Sequence, residues 1–136
     1  MNWFVLAAAV LATMTTLGHF MVGTKEYLVP MLGSSMDPVP KKVMQAVFHY
    51  VSAFLILSAV ALYALAFGTI PGEAGSYLAA FISANYALFA IWELVIAFGS
   101  GIKGAPLKMF HWIFFVLIAA LAGWGSCPCC CGGCSS

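Results

Sequence analysis

Four polar side chains hold most of the chemistry this chain can offer: His19, His49, Glu93 and His111. The three imidazoles are the only histidines, and Glu93 is the only acidic residue inside an apolar segment. Each lies in a different apolar run. Neutral imidazole is the commonest metal ligand, and three imidazoles with one carboxylate fill a tetrahedral shell or leave positions open in a larger one. That donor set favours zinc, iron or copper over calcium or magnesium. Thr15, Thr16, Ser52 and Tyr86 are candidates to orient the ligands by hydrogen bonds. Two of the imidazoles could instead be axial ligands of a b-type haem. No Cys-x-x-Cys-His motif is present, which argues against c-type haem. A Glu/His chain inside a membrane also suits a proton relay in a small transporter.

The four can act together only if separate elements bring them to one depth. Of 136 residues, 64% are hydrophobic and 7% are charged, against about 25% charged in soluble domains. Such a chain cannot cover a water-facing surface, so a bilayer must solvate most of it. Four runs, near 3–22, 43–67, 76–98 and 107–124, approach the roughly 20 residues that a spanning helix needs. Open strands are excluded because lipid offers their backbone groups no partners. The first run lacks a basic start and a small-residue cleavage site, so it reads as a mature helix rather than a signal peptide.

The five basic residues, Lys25, Lys41, Lys42, Lys103 and Lys108, all lie between runs one and two or between runs three and four. The positive-inside rule then places both Lys-bearing loops in the cytoplasm and both termini outside. Trp3, Tyr63, Tyr77 and Trp124 fall near the outer interface, and Tyr27, Tyr50 and Trp112 near the inner one. The expected fold is all-α: an integral membrane four-helix bundle, antiparallel and up-down, over residues 1–126, in a bacterial inner membrane. Residues 23–42 should form a long irregular inner loop, since Pro30, Pro38, Pro40 and Gly33-Ser34-Ser35 interrupt any single helix. The Gly/Pro-rich turn over residues 68–75 should make helices two and three antiparallel neighbours. Ala8, Ala12 and Thr15/Thr16 form a small-residue stripe suited to close helix contact. Phe48-His49-Tyr50 and Phe110-His111-Trp112 open their helices alike, which suggests two hairpins of one plan.

In that topology His19, His49, Glu93 and His111 all fall on the cytoplasmic side, roughly 7–10 Å from their helix midpoints at about 1.5 Å per residue. A carboxylate at such depth costs about 2.5–3.5 kcal/mol and demands neutralisation. The expected function is therefore a small membrane protein that holds a transition metal through these four residues, in a redox or metal-handling accessory role. A cofactor-free assembly subunit and a small ion transporter are the alternatives. Partners are the bilayer and other membrane subunits or further copies of the chain. A net charge of +1 without a basic run gives nucleic-acid binding no support.

The last ten residues, 127–136, form a separate tail. Cys127, Cys129, Cys130, Cys131 and Cys134 suit either mixed disulfides, soft-metal capture or lipid attachment. Motifs for dinucleotide binding, P-loop chemistry, zinc proteolysis and the serine nucleophile elbow are all absent from the sequence.

Overall fold

The structure, a computed structural model, describes residues 1–126, and the cysteine tail lies outside the described residues. Among the described residues the secondary structure is helical, without strands. Helix α1 (Trp3–Gly18) runs directly into a π-helical segment, His19–Leu28, and then into α2 (Val29–Gly33). Together they make one apolar rod of 31 residues, Trp3–Gly33. After residues 34–37 come α3 (Pro38–Ala66) and α4 (Gly72–Gly99). A single turn, α5 (Ala105–Lys108), precedes α6 (His111–Gly125).

The irregular loop expected over residues 23–42 is thus mostly helix. Pro30 sits in the first turn of α2, and Pro38 in the first turn of α3. At the free start of α3 a missing N–H costs nothing and the fixed φ already suits a helix; Pro30 instead lies inside the continuous rod, where the π-helical segment passes into α2. The true break is confined to Ser34–Asp37, where the Ser34 hydroxyl donates to the Met31 carbonyl at 2.7 Å and the Lys41 ammonium donates to the Ser34 carbonyl at 2.7 Å.

The last apolar run is also cut. Gly104 takes a left-handed φ of 72°, and Met109 leaves the helical region before α6 begins. The Trp112 indole N–H donates to the Pro106 carbonyl at 2.9 Å and closes this corner. Three helices, Trp3–Gly33, Pro38–Ala66 and Gly72–Gly99, are long and apolar enough to cross a membrane. The 15 residues of α6 reach only about 22 Å at the usual helical rise, short of a hydrocarbon core of about 30 Å.

Helix α1 packs against α3 on one side and α6 on another, and α6 packs against α4. Ala8, Ala9 and Ala12 of α1 have no exposed surface, so the neighbouring helices approach its backbone closely. Contacts between α1 and α3 pass from Asn2–Ala66 through Thr13–Tyr63 to His19–Ser52. Those between α4 and α6 pass from Ser83–Ala119 to Glu93–His111. Helices α3 and α4, although joined by a short turn, touch little and meet mainly through long side chains. The Ser58 and Tyr86 hydroxyls lie 2.8 Å apart between them, and Phe54, Tyr86, Phe89 and Phe115 form a cluster of ring contacts.

Asn2 ties three helix ends together. Its side-chain amide donates to the Gly125 carbonyl at 2.7 Å, and its backbone N–H donates to the Ala66 carbonyl at 3.0 Å. Its side-chain oxygen caps α1 by accepting from the Val5 N–H at 3.3 Å. Gly125 is required here, because a Cβ at that position would stand 2.6 Å from Val5 Cγ2. Gly18 is the contrasting case, with nothing within 4 Å of an added Cβ. In equilibrium unfolding in detergent micelles, Gly125→Ala should therefore cost about 1–3 kcal/mol by overpacking. Gly18→Ala should be neutral or stabilising by up to about 1 kcal/mol.

Candidate functional site

Helix periodicity decides which of the four expected ligands face inward. In α4 the buried stripe is Gly75, Ala79, Ile82, Tyr86, Ala90 and Ala97, and Glu93 falls on it. In α6 it is Ile118, Ala122 and Gly125, which traced back one turn at a time reaches Phe115 and His111. The two stripes meet at the end of the bundle remote from Asn2, where the His111 Nδ1–H donates to Glu93 Oε1 at 2.8 Å. The Glu93 side chain is 11% exposed and that of His111 34%. The pair satisfies a carboxylate that would otherwise be stranded in an apolar setting.

In α3 the inward stripe is Ser52, Leu55, Ala59, Leu62 and Ala66. Alternating steps of three and four carry it back to Phe48, not to His49. His49 is exposed and makes an edge contact with the Phe48 ring. Phe48 takes the inward place, and the His19 imidazole stacks on it with ring centres 4.1 Å apart. His19 Nε2 lies 2.9 Å from Ser52 Oγ and 3.4 Å from the Phe48 carbonyl.

The four side chains thus divide into a His111–Glu93 pair, a His19–Ser52 pair and an outward His49. Among the described residues no three His, Cys, Asp or Glu side chains are grouped as a metal ion would need. A zinc, iron or copper ion held by all four does not fit this arrangement. Of the expected supporting residues, Ser52 does bond to His19. The Thr15 and Thr16 hydroxyls donate instead to the carbonyls of Leu11 and Ala12 in their own helix, at 2.8 and 2.7 Å. Tyr86 is fully buried but pairs with Ser58. The expected cysteine site, Cys127 to Cys134, lies outside the described residues.

What His19 and His111 do share is a cavity. It has a volume of about 320 Å³ and is walled by the first rod, α3 and α6, with Gly18, Gly23, Tyr27, Phe48, Phe110 and Phe115 among its lining residues. That lies in the range of small-molecule pockets, about 300–1,000 Å³. Met14, Val22, Tyr27 and Phe110 line it and are also exposed, so its mouth opens on the flank of the bundle. Each imidazole has a parallel phenylalanine beside it: Phe48 for His19, and Phe110 for His111 at 5.0 Å. Tyr27 approaches His111 edge-on at 5.7 Å.

The π-helical segment explains how the first rod supplies this wall. Its i→i+5 hydrogen bonds widen each turn, and such turns recur at functional sites. The wider turn lets His19, Gly23 and Tyr27 line one cavity, where tighter α-turns would rotate them progressively apart. Sequence reasoning placed Tyr27 only at the interface and missed Phe48 and Phe110 as cavity walls. The available signal was the position of each Phe directly before a histidine at the start of a helix.

No protein-family model matches the chain, and no curated protein or solved structure matches it either. The functional reading therefore rests on the chain's own geometry. A double-mutant cycle checks that geometry. Glu93→Gln and His111→Gln should couple by about 1–3 kcal/mol in unfolding free energy, because they share one buried bond. His49→Ala combined with either should be additive within about 0.5 kcal/mol.

Proposed function

We propose that this chain is a small multi-pass membrane protein that binds a compact, largely apolar molecule in the cavity between His19 and His111. The observation that carries the reading is the cavity itself, with two oriented imidazoles set among aromatic walls. Binding pockets share this design: apolar walls bury the ligand and a few fixed polar groups select it. An opening on the bundle flank suits a ligand that arrives through the lipid.

In this reading the helices form an up-down bundle in a bacterial inner membrane, with α6 as the short fourth member. The Lys-bearing connections face the cytoplasm and both ends of the described chain face outward, which puts the cavity in the inner leaflet. Alkaline phosphatase fused after Pro71 should be active, and fused after Lys103 inactive. The reverse pattern would invert the topology.

Gly18 offers a direct test of the pocket. It lines the cavity and has open space where a side chain would start. Gly18→Leu should fill the cavity without displacing a neighbour. Native mass spectrometry of the chain purified in mild detergent should show a retained apolar small molecule, and the Gly18→Leu protein should lose it. Equal retention by both proteins would rule the cavity out as the binding place.

A transition metal is the second reading, favoured by one arrangement: a carboxylate that holds His111 Nδ1 and leaves Nε2 for a ligand, as outer carboxylates do around metal-bound histidines. Such an ion would rely on fewer protein ligands than the four-residue set. Elemental analysis for zinc, iron and copper, with a Soret band as the sign of b-type haem, separates this reading from the first. Stoichiometric metal that is lost in His111→Gln would select it.

A further inference from the structure

The hydrogen-bond network fixes which edge each imidazole turns to the cavity. The Ser52 hydroxyl donates to the Phe48 carbonyl at 2.9 Å. A hydroxyl has one proton, so toward His19 Ser52 can only accept, and the Phe48 carbonyl can only accept as well. His19 Nε2 therefore carries the proton, and Nδ1 holds the lone pair. That Nδ1 lies on the side of Gly23, 3.7 Å from where a Cβ of that residue would be, and Gly23 lines the cavity. At His111 the Glu93 carboxylate accepts from Nδ1, which in the neutral form of the ring leaves the lone pair on Nε2. Glu93 is not among the cavity's lining residues and His111 is, which leaves the ring's other edge as the one available to the cavity.

Two imidazoles from different helices thus offer hydrogen-bond acceptors to one apolar, aromatic-walled space. A ligand rich in carbonyl groups would set acceptor against acceptor. A flat aromatic ring bearing hydroxyl groups would donate to the lone pairs and place its faces against Phe48, Phe110 and Phe115. From this we infer that the cavity selects a quinol, a dihydroxy-aromatic molecule soluble in lipid, over the corresponding quinone. The inference rests on the cavity being a ligand site and adds the ligand's class. It concerns binding alone.

The test uses three probes with one ring in common: trimethylhydroquinone, trimethyl-1,4-benzoquinone and the dimethyl ether of that hydroquinone. Each is titrated anaerobically by calorimetry into the full chain in lipid nanodiscs, with empty nanodiscs as the blank. The diol should bind about tenfold tighter than either of the others, since each hydrogen bond is worth up to about tenfold. His19→Phe should lose part of that preference and keep the cavity. His111→Phe leaves Glu93 without its partner and could fail to fold, but the probe order in the unaltered chain decides without it. If the quinone binds as tightly as the diol or tighter, the donor preference is overturned while the pocket stands. If no probe binds above the blank, both the preference and the pocket reading fall.

Discussion

Close approach of helices to the α1 backbone is the constraint on which the rest depends. In lipid there is no hydrophobic drive to bring apolar helices together, so association rests on tight packing and on the few polar groups that must find one another. Ala8, Ala9 and Ala12 leave α1 with no bulk on its inner faces. Its threonines do not disturb this, because Thr13, Thr15 and Thr16 each turn their hydroxyls back to a carbonyl one turn earlier. With α3 and α6 both seated on α1, the histidine of the first rod and that of α6 come to share one cavity. Had α1 carried leucines at these alanines, the helices would stand further apart and the two imidazoles would belong to separate surfaces.

The middle of the bundle works differently from its ends. Between α3 and α4 the gap is filled by large rings, and the Ser58–Tyr86 bond is the polar contact buried there. The Ser83 hydroxyl reaches across to the Ala119 carbonyl at 2.7 Å, beside the space that Gly123 leaves open. These layers separate the Asn2 junction from the histidine cavity. The ionisable side chains His19, Glu93 and His111 thereby lie at one end, apart from the Asn2 junction, with an aromatic-rich centre between.

Much of this was legible in the sequence, and the failures have physical causes. Hydropathy located the long helices, and helical spacing put Glu93 and His111 on the faces where they meet. In α3 helical spacing alone allows two stripes. Both the 49–52–56–59–63 stripe and the 48–52–55–59–62 stripe pass through Ser52 and Ala59, and only packing against α1 selects the second. That single step, about 100° of helix rotation, turns His49 outward and Phe48 inward. The π-helical segment had no local signal, because its register is set by where Gly23 and His19 meet Phe48. The prolines at 30 and 38 read as breakers, although Pro38 begins α3 and Pro30 sits within the continuous first rod. The shortness of α6 follows from a left-handed Gly104 and a Trp112–Pro106 bond, neither of which composition reveals.

Asn2 leaves the molecule mechanically lopsided. One amide side chain and its neighbouring backbone clamp the first turn of α1 to the last turns of α3 and α6, where Gly125 allows no slack. The first rod and α3 are also joined at the far end through residues 34–37, so any spreading of α6 away from them must pivot about that clamp. Displacement grows with distance from a fulcrum, so the widest swing falls at the far end, where the imidazoles sit. Breathing of the bundle would open the jaws there while the grip at the other end holds.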